Sequence, residues 1–285
     1  MDADPYHFGE RRAQALAGAD EFPSGAAIRD FMPDQHRIFF TRMPYLVAAT
    51  VDRDGAPVAT LLVGGEGFVA SPDARTLAIA AVADDPSGRH FVAGAPIGLL
   101  GIELATRRRN RANGQVVFAG ETGLIVKVLQ SFGNCPQYIH PREVVQDATE
   151  APVFETFEGL DAAARDQIAA ADTFFVATAS GPRVPSGGVD VSHRGGPAGF
   201  VRIEGGTLVI PDYRGNRYFN TLGNLLIEPR GALLFVDFEA GRMLQLQGRA
   251  EIAWAEHELP DAERTWRFTA ERGWRGPAGL RAAAG

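Results

Sequence analysis

The residues best suited to chemistry in this 285-residue chain lie in a short polar run, Asp212–Arg217, with the sequence DYRGNR. The run follows a strand-like apolar segment and leads into a predicted helix over 216–227. Backbone N–H groups at a helix start attract anions, and Arg214 and Arg217 can hold a phosphate in a guanidinium fork. Gly215 lets the backbone approach such a ligand closely. The run therefore predicts either a phosphate site or an exposed helix start.

Two further runs carry polar groups that can bind a ligand. Ser192–Gly196 (SHRGG) brings a hydroxyl, an imidazole and a guanidinium to a strand end, and its alternative interpretation is a glycine-rich loop. Arg107–Arg111 (RRRNR) is the densest positive run and is predicted to include a turn. It is either a solvated turn or a grip on an anionic ligand or on an acidic neighbouring domain.

Several classes of site are excluded by counts and spacings. Lys127 is the only lysine and lies in a strand-like run, so the chain has no Walker A loop and no good Schiff-base residue. The six histidines show no zinc-binding spacing, and we expect no metal. Cys135 is the only cysteine, which rules out an intrachain disulfide. A packed thiol is favoured over a reactive one, because no adjacent charge is visible to lower its pKa.

Composition indicates a globular protein of the cytoplasm. The chain is 45% apolar and 22% charged, with a formal net charge of −7, whereas a sequence-independent grip on nucleic acid needs a basic domain. No apolar run approaches the roughly 18 residues of a membrane span, and the N-terminus lacks an apolar signal core. We therefore expect no nucleic acid or membrane partner.

The sequence contains two similar halves. Five short segments recur in the same order at offsets between 129 and 134 positions. The pairs are YLVAAT at 45–50 and FFVATA at 174–179, EGFV at 66–69 and AGFV at 198–201, TLAI at 76–79 and TLVI at 207–210, LLGIE at 99–103 and LLFVD at 233–237, and NG at 113–114 and QG at 247–248. Chance matches do not keep their order over such a length, so we predict two copies of one β-domain.

Both copies are predicted to consist of short antiparallel strands that close into a barrel. Asp54-Gly55 predicts a hairpin turn. The predicted strands are Tyr45–Val51, Val58–Val63, Leu77–Val82, Ile97–Leu104 and Val116–Leu129 in the first copy, and Phe174–Ala179, Gly199–Ile203, Thr207–Ile210, Ala232–Phe238 and Met243–Ile252 in the second. The predicted helices are Gly9–Gly18, Pro33–Arg42, Leu160–Ala171 and Asn216–Ile227, with a short equivalent of the last at Gly88–Ala93.

These elements predict five regions along the chain. They are an N-terminal helical segment over 1–43, a first barrel over 44–150, a linker helix over 151–172, a second barrel over 173–256 and a C-terminal tail over 257–285. The tail is rich in Arg, Gly and Ala and is expected to be partly disordered beyond Trp274.

Three segments together resemble the pyridoxamine 5′-phosphate oxidase-like, FMN-binding split-barrel family. They are SFGNCPQYI at 131–139, the arginine run and NG at 107–114, and SHRG…GFV at 192–201 with IPD…GNR at 210–217. All three look like one double-length subfamily that has a related barrel in each half. The resemblance covers roughly 30–255 and implies a mainly β fold with flanking helices, built from two tandem split β-barrels of the FMN-binding type.

The resemblance also implies where FMN binds. In the family, the phosphate commonly meets Arg, Lys and Ser near the junction of a strand and a helix, in a cleft between two barrels. The implied cofactor-binding residues here are Arg214, Asn216, Arg217 and Thr221 at the junction, and Ser192, His193 and Arg194 at the facing strand end. In the first copy, Asp84 and Asp85 stand at the matching place and would repel a phosphate, so we expect no phosphate site there.

The function implied is that of an FMN-dependent oxidoreductase acting on an unknown small molecule, with an electron donor such as NAD(P)H. No residue is singled out as a general acid or base. The alternatives are a flavin-binding or electron-relay module without a substrate of its own, the same barrel binding a deazaflavin or haem, and a barrel without a cofactor. The two barrels either mimic the family's usual homodimer within one chain or form a homodimer again.

Overall fold

The computed structural model describes residues 4–18, 24–147, 151–254, 259 and 261–283. Across these residues the chain is mainly β, with a small number of flanking helices. The four α-helices are α1 (Phe8–Leu16), α2 (Asp34–Thr41), α3 (Ala162–Ala170) and α4 (Asn220–Ile227). The predicted fold class is therefore confirmed.

The first barrel is a seven-stranded antiparallel sheet. Its strands are β1 (Tyr45–Val51), β2 (Pro57–Val63), β3 (Val69–Ala70), β4 (Thr76–Ile79), β5 (Pro96–Glu103), β6 (Arg108–Gly120) and β7 (Gly123–Gly133). They are hydrogen-bonded in the order β2-β1-β5-β6-β7-β4-β3. The predicted hairpin joins β1 to β2, and Gly55 adopts a φ of 80° in its turn, a conformation that glycine adopts at little cost.

The second barrel repeats this arrangement after two short strands, β8 (Val144–Gln146) and β9 (Glu155–Glu158). Its strands are β10 (Thr173–Ala179), β11 (Val189–Gly195), β12 (Arg202–Glu204), β13 (Thr207–Asp212), β14 (Arg230–Asp237), β15 (Arg242–Ala253) and β16 (Arg264–Pro277). Their order, β11-β10-β14-β15-β16-β13-β12, matches that of the first barrel position by position, and β9 adds to β16. Both hydrogen-bonded paths end in edge strands, so the closed barrel that we expected is an open, split one.

The buried apolar residues form three cores, one within each barrel and one between the barrels. One core fills the first barrel around Phe40, and another fills the second barrel around Trp266 and Phe268. The third lies between the barrels and joins residues of both, including Leu100 and Phe175, neither of which is exposed. Burial of this shared apolar surface stabilises the association of the two barrels.

The predicted C-terminal tail over 257–285 is wrong, because β16 occupies 264–277 and a last strand, β17 (Leu280–Ala282), pairs with β8. β16 pairs with both β15 and β13, so the second barrel extends beyond the predicted boundary at 256. Arg267, Arg272 and Arg275 occupy exposed or half-buried positions of this strand, whereas Arg264 is buried and pairs with Asp212. The arginine content that suggested a disordered tail thus belongs to a regular strand.

The predicted helix over 216–227 begins later, at Asn220. Arg217 and Phe219 have φ values of 59° and 60°, and left-handed residues of this kind do not fit in a right-handed helix. Arg214, Asn216 and Arg217 therefore lie on a loop that leads into α4, and not in its first turn.

Two strand boundaries also differ from the prediction. The single strand expected over 116–129 is two strands, because a turn at 121–122 separates β6 from β7. Most of the arginine run, which was predicted to include a turn, belongs to β6, and the turn precedes it at Arg107, where φ is 56°. Residues 109 and 111 consequently point to one face of the sheet.

Candidate anion-binding site

Two small cavities adjoin each other where the first barrel meets the start of α4. The α4 cavity, about 50 Å³, is lined by Arg217, Arg264 and the first residues of α4. The Cys135 cavity, about 70 Å³, is lined by Arg109, Cys135 and the loop that follows β7. Both are lined by Arg111 and Arg194, so these two arginines lie between the cavities.

Six of the seven predicted cofactor-binding residues lie around these cavities. Ser192, Arg194, Asn216, Arg217 and Thr221 line the α4 cavity, and His193 lines the Cys135 cavity. The seventh, Arg214, lines neither cavity and is exposed. Its backbone oxygen accepts a hydrogen bond of 3.1 Å from the Tyr138 hydroxyl.

The arginine run contributes two buried guanidinium groups to the site. Arg111 is 7% exposed and crosses to the second barrel, where Nη1 lies 2.8 Å from Asp190 Oδ1 and Nη2 donates to Ser192 Oγ at 2.6 Å. Arg109 donates from Nη1 to His193 Nδ1 at 2.8 Å and from Nη2 to the Cys135 oxygen at 2.6 Å. Arg111 therefore binds the neighbouring domain, which was one of the interpretations of this run.

The cavities differ in their acidic residues. The α4 cavity includes Asp212 and Glu263; Asp212 lies 2.5 Å from Arg264, and Glu263 lies 3.7 Å from Arg217. The lining of the Cys135 cavity includes no acidic residue. Of the three guanidinium groups in that lining, Arg111 pairs with Asp190 and Arg194 lies 3.6 Å from Asp212, while Arg109 has no carboxylate partner among the described residues.

Burial and mutual repulsion weaken the charged forms of this cluster. Burial, with Arg111 and Arg194 nearby, lowers the pKa of Arg109 to about 9. Burial also lowers the pKa of Arg194, although Asp212 opposes this effect. Burial and the adjacent arginines hold the pKa of His193 well below its usual range, so its ring is neutral. A bound anion would stabilise the arginines and relieve this repulsion.

A sequence family matches the half of the chain that supplies most of the predicted residues. Residues 160–277 match the sequence model of the family described as pyridoxamine 5′-phosphate oxidase. The matched residues include the whole second barrel. The match runs from just before α3 to the last residue of β16, so it includes the strand that we had predicted as a tail. No curated protein sequence matches the chain significantly.

Solved structures similar to this chain are related at low sequence identity. An FAD-binding protein from Mesorhizobium loti is 14% identical, with 46% of this chain and 99% of that chain covered and a TM-score of 0.29. HupZ from Group A Streptococcus is 18% identical, with 44% and 99% covered and a TM-score of 0.31. HutZ, a heme storage protein from Vibrio cholerae, is 14% identical, with 39% and 89% covered and a TM-score of 0.27.

Unpaired polar atoms show that the cluster, to which both barrels contribute, suits an anion. Within the described part of the chain, Arg109 Nε, Arg111 Nε, Arg194 Nε, His193 Nε2 and Asn134 Nδ2 are buried without a hydrogen-bond partner. All five residues line the Cys135 cavity. Unpaired buried donors are costly, and a phosphate group supplies the acceptor oxygens that they need. The donor set therefore fits the phosphate of a flavin nucleotide.

The predicted hydroxyl ligands are already engaged in a network. Thr221 Oγ1 donates to Ser192 Oγ at 2.9 Å, and Ser192 Oγ donates to Asp190 Oδ2 at 3.1 Å. Arg111 Nη1 donates to Asn220 Oδ1 at 3.1 Å. Since Ser192 and Asn220 both accept hydrogen bonds from Arg111, this network fixes the position of Arg111 within the arginine cluster.

A large cavity of about 1030 Å³ lies on the other side of this network. Its walls come from the N-terminal segment, from β6 and β7, from the turn between β10 and β11, and from α4. Asn220 lines both this cavity and the α4 cavity. A volume of this size suits a ligand much larger than phosphate.

Sequence reasoning missed several residues of the site. It did not single out Asn134 or Asp190, because their partners lie in distant segments of the chain. It also missed Glu10 of α1, which lines the large cavity. The alternation of Arg109 and Arg111 along a strand was the one signal that could have separated them from the exposed arginines beside them.

Neither a membrane-spanning helix nor a metal-binding group is found among the described residues. Among their helices, none combines the length and apolar character that crossing a bilayer requires. Their His, Cys, Asp and Glu side chains form no group of three or more that could hold a metal ion.

Proposed function

We propose that the chain binds FMN between its two barrels and acts as an FMN-dependent oxidoreductase on a small molecule. The observation that carries the proposal is the cluster of Arg109, Arg111 and Arg194, which lines a cavity without acidic residues and leaves buried donors unpaired. The match of residues 160–277 to the pyridoxamine 5′-phosphate oxidase family model supports the same ligand.

In this proposal, the arginine cluster binds the phosphate. The two small cavities, of about 50 and 70 Å³, have room for a phosphate group but not for a flavin ring. The neighbouring large cavity, of about 1030 Å³, has the room that the rest of the nucleotide needs. Asn216 and Arg217 border the α4 cavity and would add further donors.

The flavin supplies the hydride chemistry when it is bound, and the chain binds and orients it. Because Arg109 donates to His193 Nδ1, the neutral ring carries its proton on Nε2, which is a buried donor without a partner on a residue that lines the Cys135 cavity. The same protonation leaves Nε2 without a lone pair for iron, which disfavours haem bound through His193. We further propose that NAD(P)H is the electron donor and that the protein forms a homodimer in the cytoplasm.

The test is the visible absorption spectrum of freshly purified protein, followed by mass analysis of the released ligand. A two-band flavin spectrum with the mass of FMN is the expected result. Consumption of NADPH by the loaded protein would then separate an enzyme from an electron-relay module. A colourless protein that stays colourless after incubation with FMN would overturn the proposal.

A further inference from the structure

The large cavity has four acidic residues in its wall, and one of them differs from the rest. Asp4 pairs with Arg11, Asp30 with Arg75 and Asp190 with Arg111. Among these carboxylates of the described wall, Glu10 alone has no arginine partner. It is 5% exposed, and a buried carboxylate without a cationic partner favours its protonated form.

Both oxygens of Glu10 are held in place. Glu10 belongs to the capping box at the start of α1, where Oε2 accepts a hydrogen bond of 2.9 Å from the His7 backbone N–H. Oε1 accepts a hydrogen bond from Asn220 Nδ2 of α4. Asn220 in turn accepts from Arg111, so the carboxyl group is tied through one amide to the arginine cluster.

The contact between α1 and α4 fixes the carboxyl group further. A Cβ atom on Gly223 would lie 2.6 Å from the Glu10 Cα, so the two helix backbones touch at this point. A capping box alone requires no second helix and no cavity. Helix capping alone would therefore not require Glu10 to lie against α4 or at the cavity wall.

The charged groups facing Glu10 come from three elements. α1 contributes His7, with Nε2 at 3.6 Å from Oε2 and its own pKa lowered by burial, while β11 contributes Asp190 and β6 contributes Arg111. Asp190 and Arg111 form an ion pair and oppose each other's effect on Glu10. Burial is the largest effect and raises the pKa of Glu10 to about 7, although the hydrogen bonds from the His7 N–H and from Asn220 lower it. Such a pKa suits a group that exchanges protons near neutral pH.

We propose that Glu10 transfers a proton to the substrate held in the large cavity, and this inference rests on the proposed function. The substrate class is a molecule without positive charge that has a reducible carbonyl or quinone group, because the other carboxylates of the wall are already paired with arginines and leave none for a cationic group. The reduced flavin provides two electrons and one proton as a hydride, and the Glu10 carboxyl group provides the second proton to the heteroatom. The resulting carboxylate regains its proton from water.

The first test needs no flavin. Infrared difference spectra recorded during a pH titration should show the carbonyl band of a protonated carboxylic acid that disappears with a midpoint near pH 7. Glu10→Gln should lack this band, whereas Glu271→Gln, on the exposed face of β16, should keep it. A band that persists unchanged in Glu10→Gln would overturn the assignment of the titrating group.

The second test uses the FMN-loaded protein, reduced without oxygen and mixed with menadione as a quinone probe. The rate of reoxidation should fall above about pH 7 in the native protein. In Glu10→Ala it should be lower by roughly 100-fold or more and independent of pH, as for loss of a general acid. Formate should restore part of the rate, which restoring a structural contact alone would not achieve.

The outcomes separate the two claims. Normal FMN binding with an unchanged pH profile in Glu10→Ala and Glu10→Gln would overturn the role of Glu10 and leave the proposed function standing. A native protein that takes up no FMN would overturn both.

Discussion

At the scale of single residues, the site is organised around cations that repel each other. Arg109, Arg111 and Arg194 surround a cavity whose lining offers them no carboxylate, and the pKa of Arg109 falls to about 9. Such an arrangement costs stability in the free protein, and a bound anion recovers that cost. Anion binding should therefore stabilise the fold as well as fill the site.

Replacing Arg194 should weaken FMN binding. Arg194 lines both small cavities and has an unpaired Nε. Arg194→Ala should raise the FMN dissociation constant by roughly 10- to 100-fold, as expected for loss of a charge-assisted hydrogen bond. Arg214→Ala is the matched control, because Arg214 is exposed and lines neither cavity. Equal effects of the two substitutions in a fluorescence titration would contradict the site.

The raised pKa of Glu10 predicts how stability changes with pH. Because the folded protein holds this proton more tightly than the unfolded chain, the free energy of unfolding should fall as pH rises from about 4.5 to about 7. The contribution of Glu10 to this fall is on the order of 2–3 kcal/mol. Urea unfolding at pH 5 and pH 8 measures it, and Glu10→Gln should show a correspondingly smaller difference. An identical difference in the variant would contradict the raised pKa.

The residues that sequence reasoning identified are those whose chemistry is local. Arg214 and Arg217 lie in a polar run before a predicted helix, where the chain itself indicates an anion site, and the family resemblance added Ser192, Arg194 and Asn216. Arg109 meets His193, 84 positions away, and Glu10 meets Asn220, 210 positions away. Pairings over such distances depend on how the barrels and α1 dock, which no local pattern encodes.

At the scale of elements, the close contact between α1 and α4 decides where Glu10 lies. Gly223→Ala would place a Cβ 2.6 Å from the Glu10 Cα, and a backbone atom cannot move aside without shifting the helix. We expect a loss of about 1–3 kcal/mol in the free energy of unfolding. Gly206→Ala is the control, since nothing lies within 4 Å of its added Cβ. Equal midpoints in urea for both variants would contradict the tight docking of α1.

The last long strand, β16, should be essential to the second barrel. Trp266 is fully buried in that barrel's core, so Trp266→Ala should cost about 3–5 kcal/mol. Glu271→Ala, on the exposed face of the same strand, should change stability by less than about 0.5 kcal/mol. If 264–277 were the disordered tail that its composition suggested, thermal unfolding of both variants would match that of the native protein.

Composition misled the prediction of β16 because it ignores alternation. In this strand, Arg267, Arg272 and Arg275 are exposed or half-buried, whereas Trp266, Phe268 and Trp274 are buried. Two-residue periodicity indicates a half-buried strand even when one face is strongly basic. The predicted start of α4 was four residues too early for a different reason. The left-handed conformations of Arg217 and Phe219, which delay the helix, arise from the tertiary fold.

At the scale of the whole molecule, the two barrels share a strand order but not a site. β6 and β15 both carry a bulge, after Asn113 and after Gln247, and aligning the bulges places Gln245 where Arg111 stands. Near it, Thr60 and Ser87 donate hydrogen bonds to the buried carboxylate of Asp85. This half thus has a carboxyl group beside its hydroxyl groups, as the sequence predicted. The shared order is what an internal duplication would leave, and duplication itself stays a prediction.

This asymmetry predicts one FMN for each chain. The equivalent position, where β15 of the second barrel meets β2 of the first, has the neutral Gln245 in place of Arg111, and the Asp85 carboxyl group stands beside it in place of a phosphate donor. Native mass spectrometry of the FMN-saturated protein should show a single cofactor per chain, whatever the oligomeric state. Two cofactors per chain would contradict the difference between the barrels.

The most direct test of the central claim compares FMN with riboflavin, which has the same ring system but no phosphate. Both are titrated into the native protein, with quenching of flavin fluorescence as the readout. If the arginine cluster binds the phosphate, FMN should bind at least about 100-fold more tightly than riboflavin. Equal affinities for the two, or no binding of either, would contradict the assignment of the cluster as the flavin phosphate site.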